Sequence, residues 1–463
     1  MTETMLRGHM SPGHAIPLPA PAPAQAPAGP AAAGLTTSRG VALYIGALLG
    51  PGLLLLPGLA AAEAGPASVF AWAGLLVLSG LFAVVFGSLG QAFPSAGGVI
   101  GYVRAGLGVR ASAVAGWSFL AGVVAGAPVV CLIGAGYVTE LTGGGRMAQT
   151  LVAAVLLLTV MALAVGGLRA SATAQLLLVG LLLGVVVIAV AGSAGAAHAA
   201  NWSPFAPHGW QSLGHAAATL MLSFVGWEAV APLTTRFADP ARQLPRVIGS
   251  ALAVTSVVYL GLAIATISVL GPGAGTSAPL AALLRAAVGL AGTAAAAVAA
   301  VVLTLGAVNA YVTGAAEMAA EMTRSRAEGR PAPVFLVAIA VSGLALISAY
   351  GAGLASPAAL VALPTTLFLV VYLGCMTSAV RILHGPARWA AVPAAVLVAA
   401  ILAYCGPALL APAAVILAVC LGRPLAAAVS RRAVAVPGDR EAGMAPRRRL
   451  GLRFRDMRTD LRG

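Results

Sequence analysis

The chain has 463 residues, of which 60% are hydrophobic and only 8% are charged, and its formal net charge is +14. A soluble globular domain carries roughly 25% charged residues because its surface faces water, so this composition excludes an ordinary soluble domain. The apolar runs are too long and too unalternating for barrel strands, and they predict membrane-spanning helices. The positive charge lies in loops and in a tail beside these runs, which is typical of membrane orientation and argues against nucleic-acid binding.

Two polar segments flank the apolar part of the chain. Residues 1–35 are rich in Pro and Ala, which predicts a disordered cytoplasmic tail, and they lack the pattern of a signal peptide. Residues 422–463 contain eleven Arg and four acidic residues, which predicts a basic cytoplasmic tail. Residues 36–421 between them are predicted to form the transmembrane domain.

The hydropathy of residues 36–421 predicts twelve spans of apolar residues. They are predicted near 38–62, 67–90, 111–139, 147–166, 171–197, 214–235, 247–271, 285–320, 333–350, 356–380, 388–405 and 407–421. The four cysteines all fall inside apolar runs without metal-ligand spacing, so we interpret them as small buried side chains. The fold class predicted here is an all-α membrane protein.

The distribution of Arg between the loops predicts which ends face the cytoplasm. With the N-terminus inside, eleven Arg lie in inner loops and two, Arg146 and Arg285, lie in outer loops. Short loops on the cytoplasmic side of a membrane carry an excess of Arg. With an even number of spans, both termini lie on that side. We therefore expect a multi-pass protein of the cell membrane with cytoplasmic N- and C-termini.

The first span contains three helix-breaking residues in a row. Its sequence at 46–54 is GALLGPGLL, with Gly50, Pro51 and Gly52 near the middle of the membrane. Pro removes a backbone donor, and Gly tolerates unwound dihedral angles. Non-helical backbone at that depth survives only where it is buried in protein or lines a cavity. This segment predicts a split helix, although a simple packing kink is the alternative.

The sixth span contains a carboxylate beside a second interruption. Its sequence at 223–229 is SFVGWEA, and Pro232 follows. An acidic residue within a span is costly and suggests a functional role, here that of Glu228. A structural role for Glu228, bridging loosened backbone, is the alternative. Trp227 could act as a gate or simply pack against a neighbouring helix.

Two broken helices in corresponding places indicate the binding site of a transporter. A half-helix that begins at a break presents N–H groups, which suit a carboxylate. A half-helix that ends there presents carbonyl groups, which suit an ammonium group or a cation. An amino acid carries both charges on groups attached to the same carbon atom.

Several motifs resemble the amino acid–polyamine–organocation (APC) superfamily when they are taken in order. The first is the 46–54 segment, followed by FPSAGG at 93–98, FVGWE at 224–228 and DPARQLPR at 239–246, with NAY at 309–311 also fitting. The overall texture is most similar to the methionine and branched-chain amino acid exporter group. The resemblance implies a leucine-transporter-like fold with a five-plus-five inverted repeat. Repeat one would cover about 38–197, repeat two about 214–380, and two extra helices about 388–421.

The resemblance also implies where a substrate would bind. The implied substrate-binding residues are Leu48, Gly50, Pro51, Gly52, Phe224, Val225, Gly226, Trp227, Glu228 and Asn309. The family often has Ser or Thr at the position of Pro51, so the substrate carboxylate would depend on Gly50 and Gly52. Some proton-coupled relatives carry a Lys in the fifth span, which this chain lacks, so the coupling ion stays open. Glu228 is the candidate for coupling.

A second acidic pair lies near the inner end of the eighth span. Glu317 and Glu321 are four residues apart on one helix face, and Arg324 follows at helical spacing. An ion-pair face at the membrane interface is the preferred interpretation, and a proton relay is the alternative.

The predicted function is secondary active transport of amino acids by alternating access at a site between the two broken helices, the first and the sixth. Sparse charge in the spans favours neutral aliphatic or thioether amino acids over cationic ones. A cationic amino acid or polyamine exchanger would need a further acid in the cavity. A membrane-embedded enzyme is the alternative outside this class, but the chain has no GxSxG motif, and a nucleotide-binding GxxxxGK is absent because there is no Lys. The expected partners are an amino acid substrate and the lipid bilayer, with a proton as one candidate for the coupling ion, and we expect no cofactor, metal or nucleic acid.

Overall fold

The computed structural model describes residues 35–93, 98–167, 172–228, 237, 239–323 and 333–433, and these ranges are almost wholly helical. The first seven helices are α1 (Thr37–Leu48), α2 (Leu56–Ala64), α3 (Ser68–Ala92), α4 (Gly98–Thr142), α5 (Arg146–Val165), α6 (Ala172–Gly192) and α7 (Ser212–Leu220). The next seven are α8 (Pro240–Leu270), α9 (Pro279–Val288), α10 (Leu290–Thr323), α11 (Pro333–Gly351), α12 (Pro357–Ile382), α13 (Gly385–Ala403) and α14 (Leu410–Ala433).

Each of the twelve predicted spans overlaps at least one of these helices. Eight helical segments of the described residues are long and apolar enough to cross a membrane. Four shorter apolar helices occupy Leu176–Gly192, Ser212–Phe224, Pro279–Val288 and Gly406–Leu421. The chain is therefore a multi-pass helical membrane protein, whereas the count of twelve spans and the inverted repeat stay predictions.

Helix α4 is longer than a membrane crossing requires. Its 45 residues would extend about 68 Å at 1.5 Å per residue if they were straight. Gly108 interrupts it with φ 84°, a conformation that glycine adopts without steric cost. The part after this kink contains the predicted third span, 111–139. The part before it packs on α12, where a Cβ atom at Gly106 would lie 2.1 Å from Oγ of Ser378.

One predicted boundary differs from the structure. The eighth span is predicted to begin at residue 285, but Gly289, at φ 69°, ends α9 and separates it from α10. Hydropathy alone misses this point because an apolar turn does not lower the mean hydropathy. The backbone of α14 stays helical to Ala433, beyond its apolar part, and the basic tail from residue 422 stays a prediction.

The centre of the molecule consists of α4 packed against α10 and α12. Glycines allow these helices to approach closely, as small residues do in membrane proteins. A Cβ atom at Gly134 of α4 would lie 2.4 Å from Oγ1 of Thr304 on α10, and one at Gly122 would lie 3.1 Å from the ring of Phe368 on α12. Helices α4, α10 and α12 therefore pack closely together and form the scaffold beside the interrupted helices.

Some sequence features lie outside the described residues. They are residues 1–34, the 94–97 part of the FPSAGG motif, residues 229–236 with Pro232, Arg324, and the Arg run at 447–449. The side chains of Gln175 and Glu321 are likewise not described, whereas Glu317 is exposed on α10. Asp239 is the N-cap residue of α8, and its carboxylate accepts a hydrogen bond from the Arg242 N–H at 3.2 Å.

Candidate substrate-binding site

The first span is interrupted at the predicted place. Helix α1 ends at Leu48, a short 3-10 helix occupies Pro51–Leu54, and α2 begins at Leu56. Gly50 between them is extended, with φ −77° and ψ 172°. Pro51 has no backbone N–H, so it suits the first position of the 3-10 helix. The predicted split of the first span is confirmed.

The sixth span is interrupted as well, and its break touches the first one. Helix α7 ends at Leu220, a 3-10 helix occupies Met221–Phe224, and Val225 is extended. Gly226 has φ 143°, which side-chain-bearing residues rarely adopt. A Cβ atom at Gly226 would also lie 2.2 Å from the carbonyl oxygen of Ala47. Glycine is therefore required at this position for both reasons, and the two breaks face one another.

Two tyrosines from other helices bind carbonyl groups that the breaks leave without helical partners. The Tyr137 hydroxyl of α4 donates to the carbonyl of Leu54. The Tyr259 hydroxyl of α8 lies 2.8 Å from the carbonyl oxygen of Leu48 and 2.7 Å from that of Ser223. Buried backbone groups in lipid must find partners within the protein. These hydroxyl groups supply donors at both breaks.

Glu228 and a third tyrosine bind the N–H groups of the second break. The N–H of Gly226 donates to Oε2 of Glu228 at 2.9 Å and to the hydroxyl of Tyr372, on α12, at 3.0 Å. The N–H of Trp227 donates to the same hydroxyl at 3.1 Å, and that hydroxyl donates to Oε2 of Glu228. The indole N–H of Trp227 donates to Oγ of Ser79 on α3 at 2.9 Å. The Glu228 carboxylate thus binds backbone of the same interrupted segment to which Glu228 belongs.

A cavity lies against both breaks, and its non-atom space, which includes space open to solvent, is about 630 Å³. Its walls come from the two interrupted segments and from α4, α10 and α12. The lining residues are Gly50, Pro51, Gly52, Gly122, Val123, Gly126, Ala127, Val130, Ile133, Leu222, Val225, Ala307, Val308, Tyr311 and Phe368. None of these fifteen residues is charged, and Tyr311 alone among them carries a polar side chain.

The structure brings the predicted site residues together but gives them different places. Those that line the cavity are Gly50, Pro51, Gly52 and Val225. Those that belong to the broken backbone or pack behind it, outside the lining, are Leu48, Phe224, Gly226, Trp227 and Glu228. Asn309 is buried on α10 beside the lining residue Val308. A role for any of them in binding stays a prediction.

Sequence reasoning missed most of the cavity wall and all three tyrosines at the breaks. The glycines of α4 that line the cavity, Gly122 and Gly126, are four residues apart and therefore share one helix face. A buried tyrosine usually finds a hydrogen-bond partner, so a tyrosine within an apolar span points to nearby unpaired backbone. The glycine spacing and the tyrosines are both visible in the sequence. Neither pattern predicts which other helix or backbone segment these residues contact.

The described part of the chain offers no group of three or more His, Cys, Asp or Glu residues that could hold a metal ion. Cys131, Cys375 and Cys405 are buried free thiols, and Cys420 is exposed. The expectation of a chain without cofactor or metal stays a prediction.

Comparison with known proteins identifies the family. The family profile described as amino acid permease matches residues 35–422. The uncharacterized amino acid permease YecA of Bacillus subtilis (strain 168) is 31% identical over 393 residues, which are 82% of this chain and 92% of that protein. The L-methionine/branched-chain amino acid exporter YjeH of Escherichia coli (strain K12) is 30% identical over 80% of this chain and 91% of that protein. The chain belongs to the amino acid permease family.

Proposed function

We propose that this chain is a secondary transporter of neutral aliphatic or thioether amino acids. It works by alternating access at the cavity between the two breaks. The observation that carries the proposal is the lining of this cavity, which is uncharged and, apart from Tyr311, carries no polar side chain. Small-molecule sites combine an apolar wall with a few polar groups that orient the ligand. Here the polar groups would come from the interrupted backbone.

The first break offers one amide in particular for the substrate carboxylate. The N–H of Gly50 already donates to the Leu48 carbonyl at 3.0 Å, and Pro51 has no N–H. Gly52 lies in the first turn of the 3-10 helix and lines the cavity. The first N–H groups of a helix lack intrahelical acceptors and attract anions. We therefore assign the carboxylate to Gly52 rather than equally to Gly50 and Gly52.

The apolar wall favours a neutral substrate over a cationic one. An ammonium or guanidinium group on the substrate side chain would need an acid in the cavity, since an unpaired buried charge is costly. Glu228, the nearby acid, is not among the lining residues, and its Oε2 is bound by Gly226 and Tyr372. The exporter YjeH is named for methionine and branched-chain amino acids, which fit the same chemistry.

Orientation and coupling form the remaining parts of the proposal. The Arg distribution supports cytoplasmic termini and a location in the cell membrane. Glu228 remains the candidate for proton coupling because it is a buried carboxyl group at the second break. The inverted repeat is supported by the two breaks, which occur in corresponding spans.

The test is a substrate panel measured on the purified protein in liposomes. Exchange of labelled leucine or methionine should be inhibited by unlabelled aliphatic and thioether amino acids, and much less by arginine, glutamate or a polyamine. The same neutral amino acids should raise the thermal unfolding temperature, because a ligand stabilises the state that it binds. Protein-free liposomes are the control for leakage. Preference for arginine or a polyamine over leucine and methionine would overturn the proposal.

A further inference from the structure

Tyr259 joins the ends of two interrupted helices through one hydroxyl group. Leu48 is the last residue of α1, and Ser223 lies in the 3-10 helix that follows α7. The carbonyl oxygens of both residues lie within hydrogen-bond distance of the Tyr259 hydroxyl, at 2.8 Å and 2.7 Å. The hydroxyl has one proton, which the two carbonyl oxygens share.

The backbone at the second break shows why this hydroxyl is needed. In a continuing 3-10 helix the Ser223 carbonyl would accept from the N–H of Gly226, and in an α-helix from that of Trp227. Both N–H groups instead donate to the Tyr372 hydroxyl, and that of Gly226 also donates to Glu228. Tyr259 therefore supplies the donor that the interrupted helix has lost.

The aromatic ring of Tyr259 is held in place by two neighbouring rings. Its centroid lies 4.9 Å from that of Trp72 on α3 and 5.2 Å from that of Phe224, and Tyr259 has no solvent exposure. The rings of Trp72 and Phe224 also contact one another, at 5.8 Å. A side chain packed in this way has little freedom, so its hydroxyl marks a defined position for the two carbonyl groups.

We propose that Tyr259 is a positioning residue of the transport site. Its hydroxyl group fixes the distance between the end of α1 and the 3-10 helix at Met221–Phe224. Tyr259 is not among the residues that line the cavity. It acts through them, because Gly50 follows Leu48 by two residues, and Leu222 and Val225 flank Ser223 and Phe224. The two interrupted segments, which would hold the backbone of a substrate, thus stay at a fixed distance from one another. This inference rests on the proposed function.

The chain offers a matched control for the test. Tyr44 of α1 is also fully buried, and its hydroxyl has no hydrogen-bond partner among the described residues. The substitutions Tyr259→Phe and Tyr44→Phe therefore make the same chemical change, but only the first removes a link between the breaks. Both variants and the parent are purified, checked for a monodisperse elution profile and a thermal transition, and placed in liposomes.

Loss of the link should weaken substrate binding more than it slows the transport cycle. We expect Tyr259→Phe to raise the KM for leucine or methionine by about tenfold, the effect of losing one buried hydrogen bond, while the maximal rate changes less. Tyr44→Phe should stay near the parent in both quantities. An unchanged KM in Tyr259→Phe, or an equal change in Tyr44→Phe, would overturn the inference.

A second variant covers the case in which Tyr259→Phe does not fold. Phe224→Leu keeps the Tyr259 hydroxyl and removes one of the two rings that hold it, so the KM should rise, and an unchanged KM counts against the inference. Failure of the proposed function has a different signature. If the parent moves none of the amino acids, the transport proposal falls together with this inference. If the parent transports them and the variants match it, only the role of Tyr259 falls.

Discussion

Glu228 has one carboxylate oxygen engaged and one unengaged. Its Oε2 accepts hydrogen bonds from the Gly226 N–H and from the Tyr372 hydroxyl. Its Oε1 is buried and accepts no hydrogen bond from the described residues. A buried polar atom of this kind calls for an explanation, and a changing protonation state is one. The arrangement suits both a structural role at the break and a role in proton coupling.

The substitution Glu228→Gln separates these two roles, because glutamine keeps the shape and the acceptor oxygen but cannot titrate. We expect exchange of neutral amino acids to persist, while net flux driven by a pH gradient falls by about tenfold or more, as for other proton-transfer groups. Both fluxes are measured in liposomes across pH, after the variant has been shown to fold.

The matched control for this substitution is Glu140→Gln, at an exposed position near the C-terminal end of α4. If both fluxes and their pH dependence in Glu228→Gln equal those of the parent, Glu228 only supports the backbone. If substrate binding is lost as well, Glu228 belongs to the site or its scaffold rather than to coupling alone.

The position of Glu228 was predictable from the sequence, but its partners were not. A carboxyl beside Gly226 in an apolar span marks a break in the helix. Tyr372, however, lies 144 residues further along the chain, and only the folded arrangement of α12 brings its hydroxyl to Oε2. Local pattern specifies where backbone groups lose their helical partners, whereas tertiary packing decides which side chains replace them.

The broken helices are the elements that sequence reasoning described best. Gly50 and Pro51 disfavour continuous helix on local grounds, so the split of the first span follows from residue type alone. The opposite wall of the cavity depends on α4, whose lining residues are ordinary small or aliphatic ones. No local rule distinguishes a small residue that faces a cavity from one that lets two helices touch.

One element-scale prediction concerns the size of the cavity. A Cβ atom at Gly126 would meet Pro364 at 3.5 Å, an ordinary contact, so α4 can accept a side chain there. Gly126→Val would fill part of the cavity that Gly126 lines. Transport of leucine and methionine should fall by about tenfold relative to that of alanine, since a methylene group in a tight pocket has effects of this size.

Competition for labelled alanine exchange measures this ratio directly. Gly180→Val is the matched control, because a Cβ atom at Gly180 meets nothing within 4 Å, and this exposed residue of α6 is not among the lining residues. An unchanged ratio in Gly126→Val, or a similar change in Gly180→Val, would remove this part of α4 from the substrate site.

The whole molecule was predictable as a helical membrane protein because mean hydropathy is averaged over many residues. The ends of single helices and the contacts between segments were harder to predict. Gly289 separates α9 from α10 within one apolar run, and α14 continues through Arg residues that end its apolar stretch. The loop after α6 docks on the end of α8, where Asn201 and Trp202 both donate to Ser268. Such contacts place this loop and that helix end on the same side of the molecule.

Orientation is tested by labelling that loop from outside the cell. In a Cys420→Ala background, which removes the one exposed cysteine of the described residues, Gln211→Cys should react with a membrane-impermeant maleimide in intact cells. Arg104→Cys, at an exposed position in the N-terminal part of α4 that the Arg distribution predicts to face the cytoplasm, should react only after permeabilisation. The opposite pattern would contradict cytoplasmic termini.

The three tyrosines at the breaks have an electrical consequence. Tyr137, Tyr259 and Tyr372 bind the interrupted backbone through phenolic hydroxyl groups, which are uncharged donors and acceptors. A charge that crosses the membrane potential changes in energy by about 2.3 kcal/mol per 100 mV, and a neutral hydroxyl does not. Rearrangement of the Tyr137 and Tyr259 links during a transport cycle would therefore move no charge. Any dependence of flux on membrane potential would come from the substrate, from the coupling ion or from the Glu228 carboxyl group that Tyr372 binds.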